Sequence, residues 1–139
     1  MRARGGAGRG LGRRLIASGS PFEPVIGFSR AVVDGRHISV SGTAPIMPDG
    51  ADPPSDAYGQ AKRVLEIIVA ALAVAGAGPE HVVRTRTYLT NAEDWEDAGR
   101  AHGEVFASVR PASTMIVVSG FLDPRWVVEM EADATLPEP

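Results

Sequence analysis

The run RPASTMIVVSGFLDPRWVVEMEADA, residues 110–134, decides how the rest of the chain is arranged. It reads as a β-hairpin: a strand rich in β-branched residues over 113–119, a turn region over 120–124, and a returning strand over 126–134. The returning strand alternates. Val128, Met130, Ala132 and Ala134 point one way, while Glu129, Glu131 and Asp133 point the other. One face is a core face. The other carries three carboxylates in a row, which repel one another unless solvent, cations or a ligand answers them.

Upstream, residues 82–90 form a strand with Val83, Thr85, Thr87 and Leu89 on one side and Arg84, Arg86 and Tyr88 on the other. A helix follows over 93–108, capped by Asn91, with Trp95, Ala98, Ala101, His102 and Val105 as its apolar stripe. Residues 55–75 are the clearest helix. Val64, Leu65, Ile68, Leu72 and Ala75 recur at three and four, Ser55 serves as N-cap, Gly76 and Gly78 stop the helix, and Gln60 falls on its polar side. Residues 28–33 and 36–41 flank Asp34-Gly35, a hairpin signal. The order is β-β-α-β-α-β-β, an α+β layout with two helices on one face of a mixed sheet. The other face carries Arg84, Arg86 and Tyr88 against Glu129, Glu131 and Asp133. That mixture predicts burial against further copies of the chain, with arginine and acid pairing within or across subunits.

A chain of 139 residues that is 44% hydrophobic suits one domain with a real core. It has no cysteine, which excludes disulfides, thiolate metal sites and cysteine nucleophiles. Thirteen of the fourteen basic residues are arginine, and five of them lie in the first fourteen positions, which hold no acid. The remainder has nine basic against seventeen acidic residues, a net of −8, which argues against a nucleic-acid partner. Residues 1–13 are Gly/Arg-rich and are set aside as a disordered extension, leaving 14–139 as one domain; an arginine-glycine arm for nucleic acid is the sharper alternative. No apolar window long enough to span a membrane exists and the basic N-terminus lacks an apolar run, so a cytoplasmic protein is expected. Phosphate-loop, dinucleotide, zinc-protease and nucleophile-elbow motifs are absent. His37, His81 and His102 have no metal spacing, so neither metal nor other cofactor is expected. The acids Asp94, Glu96 and Asp97 are the solvated first turn of a helix. Glu129 is the remaining candidate: either one member of an exposed acidic stripe, or a carboxylate at a subunit edge that positions or deprotonates water.

The run Val40-Ser41-Gly42-Thr43, Gln60, Ala75-Gly76-Ala77 before Val82-Val83-Arg84-Thr85, then Arg110-Pro111-Ala112-Ser113-Thr114 and Val128-Glu129-Met130-Glu131-Ala132 resemble, in order, the Rid/YjgF family, also called the L-PSP endoribonucleases. The resemblance covers roughly residues 20–135. It implies a chorismate-mutase-like fold, a homotrimer whose sheets close into an inner barrel, and a ligand cleft at each subunit interface. Active members hydrolyse reactive enamines and imines such as 2-aminoacrylate to 2-keto acids and ammonia. By that resemblance Glu129 holds the water, while Phe28, Ser41, Gly42, Thr43, Trp95, Gly99, Ser113, Thr114 and Met115 line the cleft. The sequence departs from the family at three of these positions. Ser113 stands where an arginine pairs with the substrate carboxylate, Phe28 where a tyrosine is usual, and Gly99 where an asparagine is usual. A hydroxyl cannot give the charge-assisted pair, a loss of about 1.5–3 kcal/mol or roughly ten- to a hundredfold in affinity. The resemblance therefore implies a roomier, less cationic pocket. Three functions are weighed: an enamine or imine hydrolase, a non-catalytic ligand-binding or protein-stabilising trimer, and an endoribonuclease, which the acidic domain disfavours.

Overall fold

The computed structural model describes residues 2–5 and 12–139. Among the described residues seven strands make one sheet: β1 (Arg2–Gly5), β2 (Arg13–Ala17), β3 (Ala31–Asp34), β4 (His37–Thr43), β5 (Val82–Leu89), β6 (Ala112–Val117) and β7 (Val128–Thr135). Two helices, α1 (Ala57–Val74) and α2 (Trp95–Phe106), interrupt them. The spatial order is β1-β2-β3-β4-β7-β5-β6. The architecture is thus α+β with a mixed sheet, as expected. The disorder expected for residues 1–13 falls partly on residues 1 and 6–11, which lie outside the described residues. Arg2–Gly5 pairs antiparallel with β2, whose first residue is Arg13.

The Asp34-Gly35 hairpin forms, with Gly35 at φ 64° supplying the left-handed turn residue. The hairpin expected of residues 110–134 does not. β6 pairs parallel with β5, and β7 lies between β4 and β5, antiparallel to both. The reason is the crossover. Chain leaving β5 passes through α2 on one face of the sheet and returns in the same direction, so β6 lands parallel beside β5 at the edge. Residues 118–127 then carry the chain back across the sheet, a connection too long for a tight turn.

Packing follows the alternation. Val128, Met130, Ala132 and Ala134 of β7 are buried against α1, as are Val64, Leu65, Ile68, Ala71 and Leu72 of that helix. Each large apolar side chain so buried contributes about 1.5–3 kcal/mol. Four local expectations are corrected. The cap of α1 is Asp56, not Ser55; its side chain accepts the Gly59 N–H at 3.1 Å, because Asp56 is the last extended residue. Asn91 makes no side-chain cap, since a short turn over Ala92–Asp94 comes before α2. Trp95 is 58% exposed, and Ala98, Ala101 and Phe106 form the buried face of α2. Val83 is exposed because β5 bulges against β7 between Val82 and Arg84, which turns Val82 inward.

Gln60 is the largest departure from the helical pattern. It is fully buried. Its Nε2 donates to the carbonyls of Pro54 (2.8 Å) and Arg125 (2.9 Å), and its Oε1 accepts from the Val127 N–H (2.8 Å). One side chain therefore ties the loop before α1 to the residues that enter β7.

Candidate functional site

A cleft of about 1220 Å³ opens between the segment over 18–30, β4, α1 and the connection into β7. Its rim is apolar, with Phe22, Ile26 and Leu122 exposed. Its floor is built by a bulge. Val40 pairs with Ala132 but Thr43 pairs with Met130, so β4 carries one extra residue there. The Ser41 hydroxyl donates to the Ser29 carbonyl (2.6 Å), and the Thr43 hydroxyl to the Ser41 carbonyl (2.8 Å). These bonds occupy both hydroxyls in holding the bulge and leave Gly42 facing the cleft. A Cβ on Gly42 would sit 3.5 Å from Oε1 of Glu129, so the glycine keeps the approach to that carboxylate open.

Glu129 is half-buried in the cleft wall. Burial raises its carboxyl above the usual carboxylate range, and Arg30 pulls it back part of the way. Its neighbours on β7 are otherwise engaged. Glu131 accepts from the Tyr88 hydroxyl (2.7 Å) and from Arg86 (3.3 Å), and Asp133 accepts from Arg86 (3.4 Å). The bond to Glu131 raises the Tyr88 phenol above its ordinary value. The expected pairing of arginine with acid on this face thus occurs within the chain. Among the described residues Glu129 alone of the three carboxylates accepts no side-chain hydrogen bond.

Arg30 was not singled out in the sequence. It is 7% exposed, lines the cleft, and donates from Nη2 to the Gly42 carbonyl (2.7 Å). Among the described residues its Nε–H has no partner. Burial lowers its pKa, and Glu23 and Glu129 raise it. The available signal was parity: Arg30 is two residues from Phe28, so the strand pattern puts both on one side.

The expected lining residues fall into two groups. Phe28, Gly42 and Glu129 share the cleft with Arg30, and Ser41 and Thr43 support it. Gly99, Ser113, Thr114, Met115 and Trp95 lie on α2 and the β6 edge, outside its lining. There a Cβ on Gly99 would meet the Met115 methyl at 3.6 Å. The Thr85 hydroxyl donates to Ser113 Oγ (2.9 Å) and lies 2.8 Å from His102 Nε2, while burial lowers the His102 pKa. All six residues of β6 are exposed. None of the three histidines lines the cleft. Among the described residues no cluster of side chains suits a metal ion, and no helix is long and apolar enough to cross a membrane.

The family described as endoribonuclease L-PSP matches residues 19–136. An uncharacterized protein of Streptomyces coelicolor, SCO2049, is 43% identical over 121 residues, covering 87% of this chain and 90% of its own. A RutC family protein of Pyrococcus abyssi is 33% identical over 125 residues, covering 89% of this chain and 98% of its own. Among solved structures, Rv2704 of Mycobacterium tuberculosis, a member of the YjgF/YER057c/UK114 family, superposes with a TM-score of 0.82 at 37% identity, covering 90% of this chain and all of that one.

Proposed function

Because this chain belongs to the endoribonuclease L-PSP family, the YjgF/Rid group, we propose that it hydrolyses a small imine or enamine in the cleft beside Glu129. The observation that carries this reading is the Glu129 carboxylate, half-buried, raised in pKa and free of the hydrogen bonds that engage Glu131 and Asp133. A carboxylate poised nearer neutrality than usual takes a proton readily and gives it back.

The chemistry needs no more than that. An enamine first shifts its proton to become the imine. Glu129 then takes a proton from water as the water oxygen bonds to the imine carbon, and passes that proton to the nitrogen to give the carbinolamine. Glu129 next takes the hydroxyl proton as the carbonyl forms and the carbon–nitrogen bond breaks. It hands that proton to the departing nitrogen, so ammonia leaves and the carboxylate is restored.

The same reading includes a homotrimer. Its support is the wholly exposed β6, whose Met115, Ile116 and Val117 form an apolar edge that invites another copy. Such a neighbour would bring Ser113, Thr114, Met115, Gly99 and Trp95 to the cleft from the adjacent subunit. The second reading, a trimer that binds a ligand without turning it over, is favoured by Ser113, which supplies no charge at the family's arginine position. Ribonuclease chemistry by a histidine pair finds no support in a cleft without histidine.

The test is ammonia and keto-acid release from 2-aminoacrylate and from oxidase-generated imines. Wild type should be active and Glu129→Gln should lose about 10²–10⁴-fold in kcat. Silence of the wild type on every imine, with ligand-induced stabilisation intact, would select the binding reading.

A further inference from the structure

We propose that Arg30 is a carboxylate-binding group of this cleft, supplying from the entry to β3 the positive charge that Ser113 does not supply from β6. The inference rests on the hydrolase reading for its choice of ligand, a 2-imino acid and its 2-keto acid product, but it is tested separately.

The argument begins with what a buried guanidinium requires. Arg30 is 7% exposed and therefore stripped of most of its water. A guanidinium carries five N–H donors. The bond from Nη2 to the Gly42 carbonyl takes one, and among the described residues the Nε–H has no partner. Arg30 makes no ion pair within 4.0 Å among the described residues, Glu129 included. Glu23 and Glu129 act on it only from beyond 4.0 Å, and a charge held this way is costly unless an anion answers it in contact.

Its position fits a substrate whose anion and reacting carbon are adjacent. Gly42 lies between the two groups: its carbonyl accepts from Arg30, and its Cα side faces Glu129 Oε1. In a 2-imino acid the carboxylate is one bond from the imine carbon. The cation and the base must then stand on neighbouring points of the same wall, as these two do. The backbone fixes Arg30 there. Its N–H donates to the Ile16 carbonyl (2.9 Å), and its carbonyl accepts from the Ser41 N–H (3.0 Å). The cation is thus mounted on the sheet, beside the bulge that presents Gly42.

The experiment uses the full chain and paired probes, pyruvate against pyruvamide and 2-oxobutanoate against 2-oxobutanamide, with affinities read by calorimetry. Wild type should prefer each carboxylate over its amide by about tenfold or more. Arg30→Gln should remove that preference, weakening carboxylate binding roughly ten- to a hundredfold with amide binding unchanged. Arg30→Lys should restore part of it. The Arg30 Nε–H resonance in wild-type protein, assigned by its disappearance in Arg30→Lys, gives a reading that does not depend on a variant folding; it should move with pyruvate and stay with pyruvamide. An equal response to acid and amide, no binding of either, or a folded Arg30→Gln that keeps the preference would overturn the proposal. The two readings fail separately. Carboxylate selectivity that needs Arg30 without ammonia release removes the hydrolase alone. Turnover that needs Glu129 with an unchanged KM in Arg30→Gln removes the role of Arg30 alone.

Discussion

Replacing Gln60 should cost more than any surface reading of its helix suggests. Gln60→Ala deletes three hydrogen bonds, to Pro54, Arg125 and Val127, and leaves two carbonyls and one N–H unpaired in a partly buried place. At about 1 kcal/mol each, with a further term for the cavity, the loss is roughly 3–5 kcal/mol. That is a large part of a stability of about 5–15 kcal/mol, and at about 4 °C per kcal/mol it lowers Tm by on the order of 10–20 °C. Gln60→Glu separates hydrogen bonding from volume. It keeps the oxygen that accepts from Val127 and turns a second oxygen towards two carbonyl oxygens. Burial and those carbonyls would raise its pKa above the unfolded value. A raised folded pKa means that the folded variant binds the proton more tightly, so its deficit is full above that pKa and shrinks as pH falls through it. Denaturant unfolding at pH 7 and pH 4, at fixed protein concentration because a trimer would make stability concentration-dependent, measures both effects. A Gln60→Ala protein within 1 kcal/mol of wild type, or a Gln60→Glu protein equal to wild type at pH 7, would refute the reasoning. Activity should fall with stability, since Val127 leads directly into the strand that carries Glu129.

Glu129→Gln should be more stable than wild type at pH 7, because burial raises the Glu129 pKa and so penalises its charged form. The advantage should fade as pH drops from the raised folded pKa towards the unfolded value of about 4.3, and unfolding curves across that window check it. Activity of the wild type should fall over the same window as the base is protonated. Ile116→Lys puts a charge in the exposed β6 edge and should turn the proposed trimer into a folded monomer on light scattering; a trimer that tolerates it places its interface elsewhere. Gly59→Ala should destabilise by about 1–2 kcal/mol, although alanine in a helix interior ordinarily gains about 1 kcal/mol, because the new Cβ would lie 2.7 Å from Cβ of Pro54 and 2.8 Å from Asp56 Oδ1.

The elements were legible because their signals are local. The alternation of β7, the apolar face of α1 and the turn at Asp34-Gly35 each depend on residues a few positions apart. Pairing is different. The run 110–134 contains two strands, but nothing in its pattern says that β6 joins β5 in parallel while β7 inserts beside β4. The choice of Glu129 has the same character. Period-two alternation puts Glu129, Glu131 and Asp133 on one face and cannot rank them. Register ranks them: Arg86 lies opposite Glu131 and Tyr88 opposite Glu129, and Arg86 and the Tyr88 hydroxyl both turn to Glu131. That register depends on the bulge between Val82 and Arg84, and the floor of the cleft depends on a second bulge between Val40 and Thr43. Each bulge inserts one residue and reverses parity beyond it, so a pattern read through it assigns side chains to the wrong face, as it did for Val83. Arg30 and Gln60 escaped for a related reason. A polar side chain in an amphipathic pattern is assigned to solvent, yet here one is fully buried by three hydrogen bonds and the other lines the wall of a cleft. The residues that shape the candidate site are those whose burial contradicts their polarity, and only the folded positions of their partners reveal them.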